Sequence, residues 1–260
     1  AAGVNLTADM SIRNLTVSNG GVTGAGNLVY GATSVLTYNS TTAAQTISAK
    51  EFPSTAGPAS LTINNTTASP NNTVTLGFAR SLGATGTLTL TSGILDNGTN
   101  ALSILNPAVA AVSGGSATTY VKGDLSRDLT SGLVSGSTYN FPVGLSGYNP
   151  FALVNPTTNA GAPVSVKVSV SDTPTGGTPS GLLASINPNR SWLVDVTDSS
   201  SNFTGSLVRL TDTTGSSNAI GYSADGGLTY NLVGGLVATV TGTAITSTAP
   251  AAASVDGYFA

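Results

Sequence analysis

A hydrolase or lyase needs groups that move protons, and this chain holds few of them. It has no cysteine and no histidine. That removes thiolate chemistry, disulfides, the commonest metal ligand and the usual general base. A nucleophilic Ser or Thr would need Lys as its base, and Lys50, Lys122 and Lys167 stand in no Ser-x-x-Lys setting. Glu51 is the only glutamate, so a glycosidase pair would have to come from Asp residues, most of them in turn-like sequence. A lyase built on a β-helix would need Asp9, Asp96, Lys50, Arg13 and Arg80 to converge, and they lie far apart along the chain. The expectation is a protein that is not an enzyme, with no catalytic residues and no cofactor.

Two patterns suggest ligand sites of other kinds. Ser223-Ala-Asp-Gly-Gly-Leu-Thr-Tyr230 fits the Asp-box spacing Ser-x-Asp-x-Gly-x-Thr-aromatic. Sialidase propellers repeat that box several times, and it occurs here once. Its physical role is a hairpin: Asp225 accepts backbone N–H groups across the turn, Gly226 and Gly227 supply positive φ, and Tyr230 packs beside the strand. Ser223, Asp225, Gly227, Thr229 and Tyr230 are therefore read as structural, with a glycan site as the lesser reading. Asp195, Asp198, Asp212 and Asp225, with Asn202 and Asn218, are the candidate oxygens for Ca²⁺, but no Asp-x-Asp-x-Asp-Gly run gathers them. They are expected to form turns, as Asp124 and Asp128 beside Arg127 are expected to form a surface ion pair worth little. Tyr30, Tyr38, Tyr139, Tyr148 and Trp192 could stack on sugars, yet aromatics in β folds more often fill cores.

Composition narrows the partners. Charged residues make up 7% of the 260, against 40% hydrophobic, and the net charge is −3. An average domain is roughly a quarter charged. Thr, Ser, Asn, Gly and Ala fill the deficit, which gives a surface with little charge repulsion between copies. The eight basic residues are scattered, so nucleic acid has no electrostatic footprint to follow. No run of about 18 apolar residues is present to span a membrane. The opening Ala1-Ala2-Gly3 is the kind of start expected of an exported chain after signal cleavage.

Period-2 alternation sets the fold class as all-β. Leu61-Thr-Ile63, Val74-Thr-Leu76, Leu88-Thr-Leu90 and Leu102-Ser-Ile104 are apolar–polar–apolar triplets at intervals of roughly 13 to 14 residues, with Asn and Gly turns between them. Short strands that cannot bury their own apolar face stack into a coil, so residues 1–112 are predicted to form a parallel β-solenoid. Leu28–Tyr30 and Val35–Tyr38 would begin its column. A meander of hairpins is the alternative. Asn106–Val112 reads as a strand or connector, and Gly114-Gly115 as a joint. Residues 113–260 carry longer strands, more aromatics and the only Trp, which predicts an antiparallel β-sandwich. There Trp192 alternates in phase with Val194 and Val196 and belongs inside.

Several stretches together resemble the adhesin-like surface proteins that Bacteroidetes export by type IX secretion. They are Tyr38-Asn-Ser, Ala44-Gln-Thr-Ile47, Glu51-Phe-Pro53, Leu61–Asn65 and Gly86–Leu95. The others are Tyr120-Val-Lys-Gly-Asp-Leu-Ser-Arg127, Phe141-Pro-Val-Gly144, Tyr148-Asn-Pro150 and the closing Gly257–Ala260. The resemblance implies a β-helix-like segment followed by a sandwich, an extracellular location, and adhesive or scaffold duty. It carries no catalytic residues to this chain.

Function is then expected to lie in assembly. The first reading is a subunit of an extracellular filament or surface coat, a homo-oligomer or homopolymer joined through exposed sheet edges. Val4 and Leu6, with Leu15 and Val17, are the candidate self-assembly strands. The alternative is an adhesin module whose loops bind glycans or another cell surface.

Overall fold

Strand formation follows the alternation. The structure is a computed structural model that describes residues 3–173, 176–197, 202–212, 218–234, 239–251 and 255–260. Every regular element among the described residues is a strand, apart from one 3-10 turn, Val109–Ala111. That turn lies in the stretch read as a strand or connector, and a strand follows it directly. The chain divides into two compact units, Ala1–Leu125 and Ser126–Ala260.

The first unit holds β1 (Val4–Leu6), β2 (Met10–Val17), β3 (Val22–Gly24), β4 (Leu28–Tyr38), β5 (Gln45–Ile47), β6 (Ser60–Asn64), β7 (Thr73–Leu76), β8 (Arg80–Leu82), β9 (Leu88–Ser92), β10 (Ile94–Ile104) and β11 (Val112–Gly114). They wind into a parallel β-solenoid. One face is the five-stranded sheet β2–β4–β6–β9–β11, in which Leu15, Leu36, Leu61, Leu88 and Val112 stand over one another. Val17, Tyr38, Ile63 and Leu90 form the column beside it. A second face stacks β5, β7 and β10, and β8 lies on the far half of β10. Leu36, Leu61 and Leu88 are fully buried, each contributing about 1.5–3 kcal/mol by leaving water.

Two details differ from the sequence reading. Leu61 lies over Leu88, two triplets on, and the intervening Val74 faces Leu95 on another sheet. A coil has to turn more than one corner before it returns, so successive triplets alternate between faces. The division between units also falls inside a strand, β12 (Val121–Leu129), and not at Gly114-Gly115. Residues 120–125 still stack on the coil below: Leu95 N–H donates to Tyr120 O at 3.0 Å, Lys122 pairs with Asp96 at 2.9 Å, and Asn97 Nδ2 donates to Asp124 O at 2.7 Å.

Corners are tight enough to need glycine. Gly93, between β9 and β10, has φ +87, and a Cβ there would sit 2.6 Å from Asn72 O and 2.8 Å from Asn65 O. Both contacts are with backbone and cannot yield cheaply. Gly93→Ala is expected to destabilise the solenoid by about 2 kcal/mol, read as a lower midpoint in urea unfolding.

The second unit holds β13 (Thr138–Phe141), β14 (Val143–Gly144), β15 (Phe151–Thr158), β16 (Val164–Ser171), β17 (Thr178–Pro179), β18 (Ser191–Thr197), β19 (Phe203–Thr211), β20 (Gly221–Ser223), β21 (Thr229–Leu232), β22 (Thr239–Thr241), β23 (Ala244–Thr246) and β24 (Gly257–Phe259). The sequence alternates over Leu236-Val-Ala-Thr-Val240, which predicts a strand, and residues 236–238 of that run lie outside the described residues. One sheet runs β13–β15–β19–β23–β22, and β16, β18, β24, β20 and β21 follow one another in the other. The sheet β13–β15–β19–β23–β22 is antiparallel, as are the pairs of β16, β18, β24, β20 and β21. By contrast, β17 lies parallel on β21. The unbroken alternation of Val164, Val166 and Val168 buries all three, and Trp192 and Val194 oppose Val170 and Val168. Val196 on the same strand is only half-buried.

Arg127 corrects the surface ion-pair expectation, because its guanidinium is fully buried. It lies 5.2 Å from the Tyr139 ring centroid and 5.8 Å from that of Phe141, and Nη1 donates to Asn140 O at 2.7 Å. Burial lowers its pKa to about 10, still far above neutrality, so the charge is carried inside the fold.

Candidate functional site

The N-terminal end of the solenoid is built from β1 and β2, and both are edge strands. β1 pairs with β3 alone, and β2 closes the five-stranded sheet. Met10 N–H donates to Asn27 O at 2.8 Å, and Val17 O accepts from Asn39 at 2.9 Å. These groups point toward β4. Alternate residues of a strand turn their backbone groups to opposite sides, which leaves those of Ser11 and Thr16 on the open side. Both residues are exposed. Arg13 is the sole charged residue of β1 and β2. Natural edges are usually blunted by Lys, Pro or a covering segment, and β2 carries neither Lys nor Pro.

The candidate assembly residues divide by exposure. Leu6 and Val17 are buried, Leu15 is half-buried, and Val4 is 52% exposed. Leu6 packs with Val22, Leu28 and Tyr30, and Ile12 and Leu15 lie only partly covered against that cluster. Met10, not singled out from the sequence, is also exposed. Among the described residues the apolar column thus reaches β2, where Ile12 and Leu15 are only partly covered.

A buried turn holds this end in register. Ser48 N–H donates to Glu51 Oε2 at 2.9 Å, and Glu51 N–H donates to Ser48 Oγ at 3.2 Å, the reciprocal pair of a capping box. Glu51 is fully buried. Its Oε1 accepts Val22 N–H at 2.9 Å, its Oε2 accepts Tyr38 OH at 2.5 Å, and its main-chain O accepts Tyr30 OH at 2.6 Å. Burial first, and then the nearby carboxylate, push both phenols above their ordinary pKa. Sequence reasoning missed this assembly. The signal available was Ser48-x-x-Glu51, containing the only glutamate.

The Asp-box residues form the hairpin between β20 and β21. Ser223 Oγ donates to Asp225 Oδ1 at 2.5 Å, and that oxygen also accepts the N–H groups of Leu228 and Thr229 at 3.1 and 2.9 Å. Gly227 N–H donates to Ser223 Oγ at 2.9 Å, Gly226 and Gly227 have positive φ, and Tyr230 is fully buried. The Ser223 hydroxyl and these N–H groups lower the Asp225 pKa to about 2. Its contribution to the hairpin is complete above the ordinary value near 3.8 and disappears as pH falls through about 2. Acid titration is therefore expected to leave the Leu228 and Thr229 amides protected at pH 3. In Asp225→Asn the same amides exchange faster at neutral pH, as read by NMR.

The other candidate oxygens are drawn apart. Asp195 pairs with Lys167 at 2.9 Å, and Asp212 pairs with Arg190 at 2.6 Å. Asp198 lies outside the described residues. Among the described residues no three carboxylates gather where a metal ion could sit. The residues a lyase would need are likewise dispersed. Asp9 holds Asn27, Asp96 holds Lys122, Lys50 Nζ donates to Gly26 O at 2.8 Å, and Arg80 Nε donates to Phe52 O at 2.6 Å. Tyr30, Tyr38, Tyr139 and Trp192 are buried and offer no free ring face for a sugar, and Tyr148 is half-buried.

No helix among the described residues is long and apolar enough to cross a membrane. Among the described residues the structure offers an open, charge-poor strand edge at β2. Comparison with known proteins supplies no family to attach it to, since no family model, curated protein or solved structure matches this chain.

Proposed function

We propose that this chain is a non-catalytic structural subunit of an extracellular filament or surface coat, in which copies join through β edges, chiefly β2. The observation that carries the reading is the eight-residue edge Met10–Val17, with open backbone groups, one charge, and an apolar column ending beside it. A second copy adding a strand there would satisfy those groups and cover Met10, Ile12 and Leu15. Where β2 meets a different edge of the next copy the contact is head-to-tail, and it propagates as a filament or sheet when its rotation does not close a ring. The hydroxyl-rich, charge-poor composition supports a place among other copies on a cell surface. The second unit is read as an antiparallel β-sandwich that the filament displays. The 5.7 Å contact between the rings of Phe151 on β15 and Phe259 on β24, which belong to different sheets, supports that reading.

Edge chemistry gives the test. Ser11→Pro removes an outward donor, and Thr16→Lys places a gatekeeping charge on the open side. Both sites are exposed; Thr16→Lys should change stability by no more than about 0.5 kcal/mol, and Ser11→Pro removes an N–H that makes no bond to β4. Wild-type protein is expected to sediment as oligomers that grow with concentration and to form filaments or sheets in negative stain, and the double variant to stay monomeric. Monodisperse wild-type monomers at high concentration would contradict the proposal, as would undiminished assembly of the double variant.

A further inference from the structure

On the solenoid lies a groove of about 620 Å³ lined by β4, the β5–β6 connection, β8 and β10. Its walls are mostly Gly, Ala and Pro, with hydroxyls from Ser54, Ser81, Thr85 and Ser103. Arg80 is the sole charged residue among the lining groups. The guanidinium is fixed on three sides. Nε donates to Phe52 O at 2.6 Å, Nη1 donates to Ala79 O at 2.8 Å, and the cation sits 3.9 Å from the centroid of the Phe78 ring. No carboxylate pairs with it among the described residues, although Lys122, Lys167 and Arg190 each have one. A rigid, half-buried cation without an anion, at the wall of an uncharged groove, is an arrangement suited to an incoming anion.

The chemistry of the groove selects the anion. Two of the three guanidinium nitrogens already hold backbone carbonyls, so Nη2 is the one left without a protein partner. One such group suits a singly charged carboxylate better than a phosphate dianion, and no Lys or second Arg lines the groove. An extended peptide would need a strand edge to pair with. Among the described residues the one strand edge here, on β8, is only three residues long, its other side lies on β10, and Tyr30 N–H is taken by Ala56 O at 3.1 Å. Small side chains leave room for pyranose rings, and the hydroxyls match ring hydroxyls. We infer that this groove binds a carboxylate-bearing polysaccharide of the uronate class, with Arg80 holding a sugar carboxylate. No residue of β2 lines the groove, so loss of binding and loss of assembly are read by different variants.

Calorimetric titration with tetragalacturonate, against cellotetraose as the neutral chain of equal length, tests it. Wild type is expected to bind the acidic chain at least about tenfold more tightly than the neutral one, with affinity falling as salt is raised. Arg80→Gln should lose roughly tenfold or more in affinity. Ser81→Glu, at an exposed position on the groove wall, sets a negative charge against the acidic chain and should lose as much while keeping the wild-type melting temperature. That variant keeps the test valid if Arg80→Gln fails to fold. Equal affinity for both chains, no binding of tetragalacturonate at about 1 mM, or unchanged affinity in a folded Ser81→Glu would overturn the inference.

Discussion

Glu51→Ala is expected to cost the first unit about 3–5 kcal/mol, read as a lower midpoint in urea unfolding followed by circular dichroism. The truncation leaves the N–H of Val22, the hydroxyl of Tyr38 and the N–H of Ser48 without their acceptor in a buried setting. Each orphaned group costs about 1–3 kcal/mol when water cannot replace the partner. Val22 belongs to β3 and Tyr38 to β4, so the loss loosens the coils that carry the open edge. Tyr38→Phe removes one of these bonds and should cost less, roughly 1 kcal/mol. Equal losses in the two variants would show that the carboxylate network is not what holds this end together.

Arg127 gives the second large effect. Arg127→Ala is expected to destabilise the second unit by about 3–5 kcal/mol, because it empties a fully buried volume beside Tyr139 and Phe141 and leaves Asn140 O without its donor. Arg127→Met fills most of that volume with an apolar chain and removes the buried charge. Such replacements are often neutral or stabilising, so methionine should recover at least half of the alanine loss in thermal melts. If the two variants melt alike, packing around the guanidinium is not the source of the effect.

The columns of the solenoid were legible because period 2 and burial coincide. Leu61, Ile63, Leu88 and Leu90 alternate with Thr, and all four lie inside. The route of the coil was not legible, since Val74 carries the same local pattern as Leu61 yet sits on a different sheet. Face assignment depends on corners such as Gly93, whose need for positive φ shows only once Asn72 and Asn65 crowd it. The Asp-box hairpin was readable residue by residue because its bonds are local. Glu51 and Arg127 escaped for the opposite reason. A charged residue is normally expected outside, and their partners Val22, Tyr38 and Tyr139 come from distant sequence. Arg80 shows its chemistry only through the groove that surrounds it.

Hydrogen exchange at the open edge tests the assembly account most directly. The amides of Ser11 and Thr16 face away from β4, so in dilute protein they should exchange about as fast as unstructured backbone. As concentration rises into the assembled range, both are expected to become protected together, while amides facing β4, such as that of Met10, stay slow throughout. Assemblies in which Ser11 and Thr16 remain fast would place the contact elsewhere and contradict strand addition at β2.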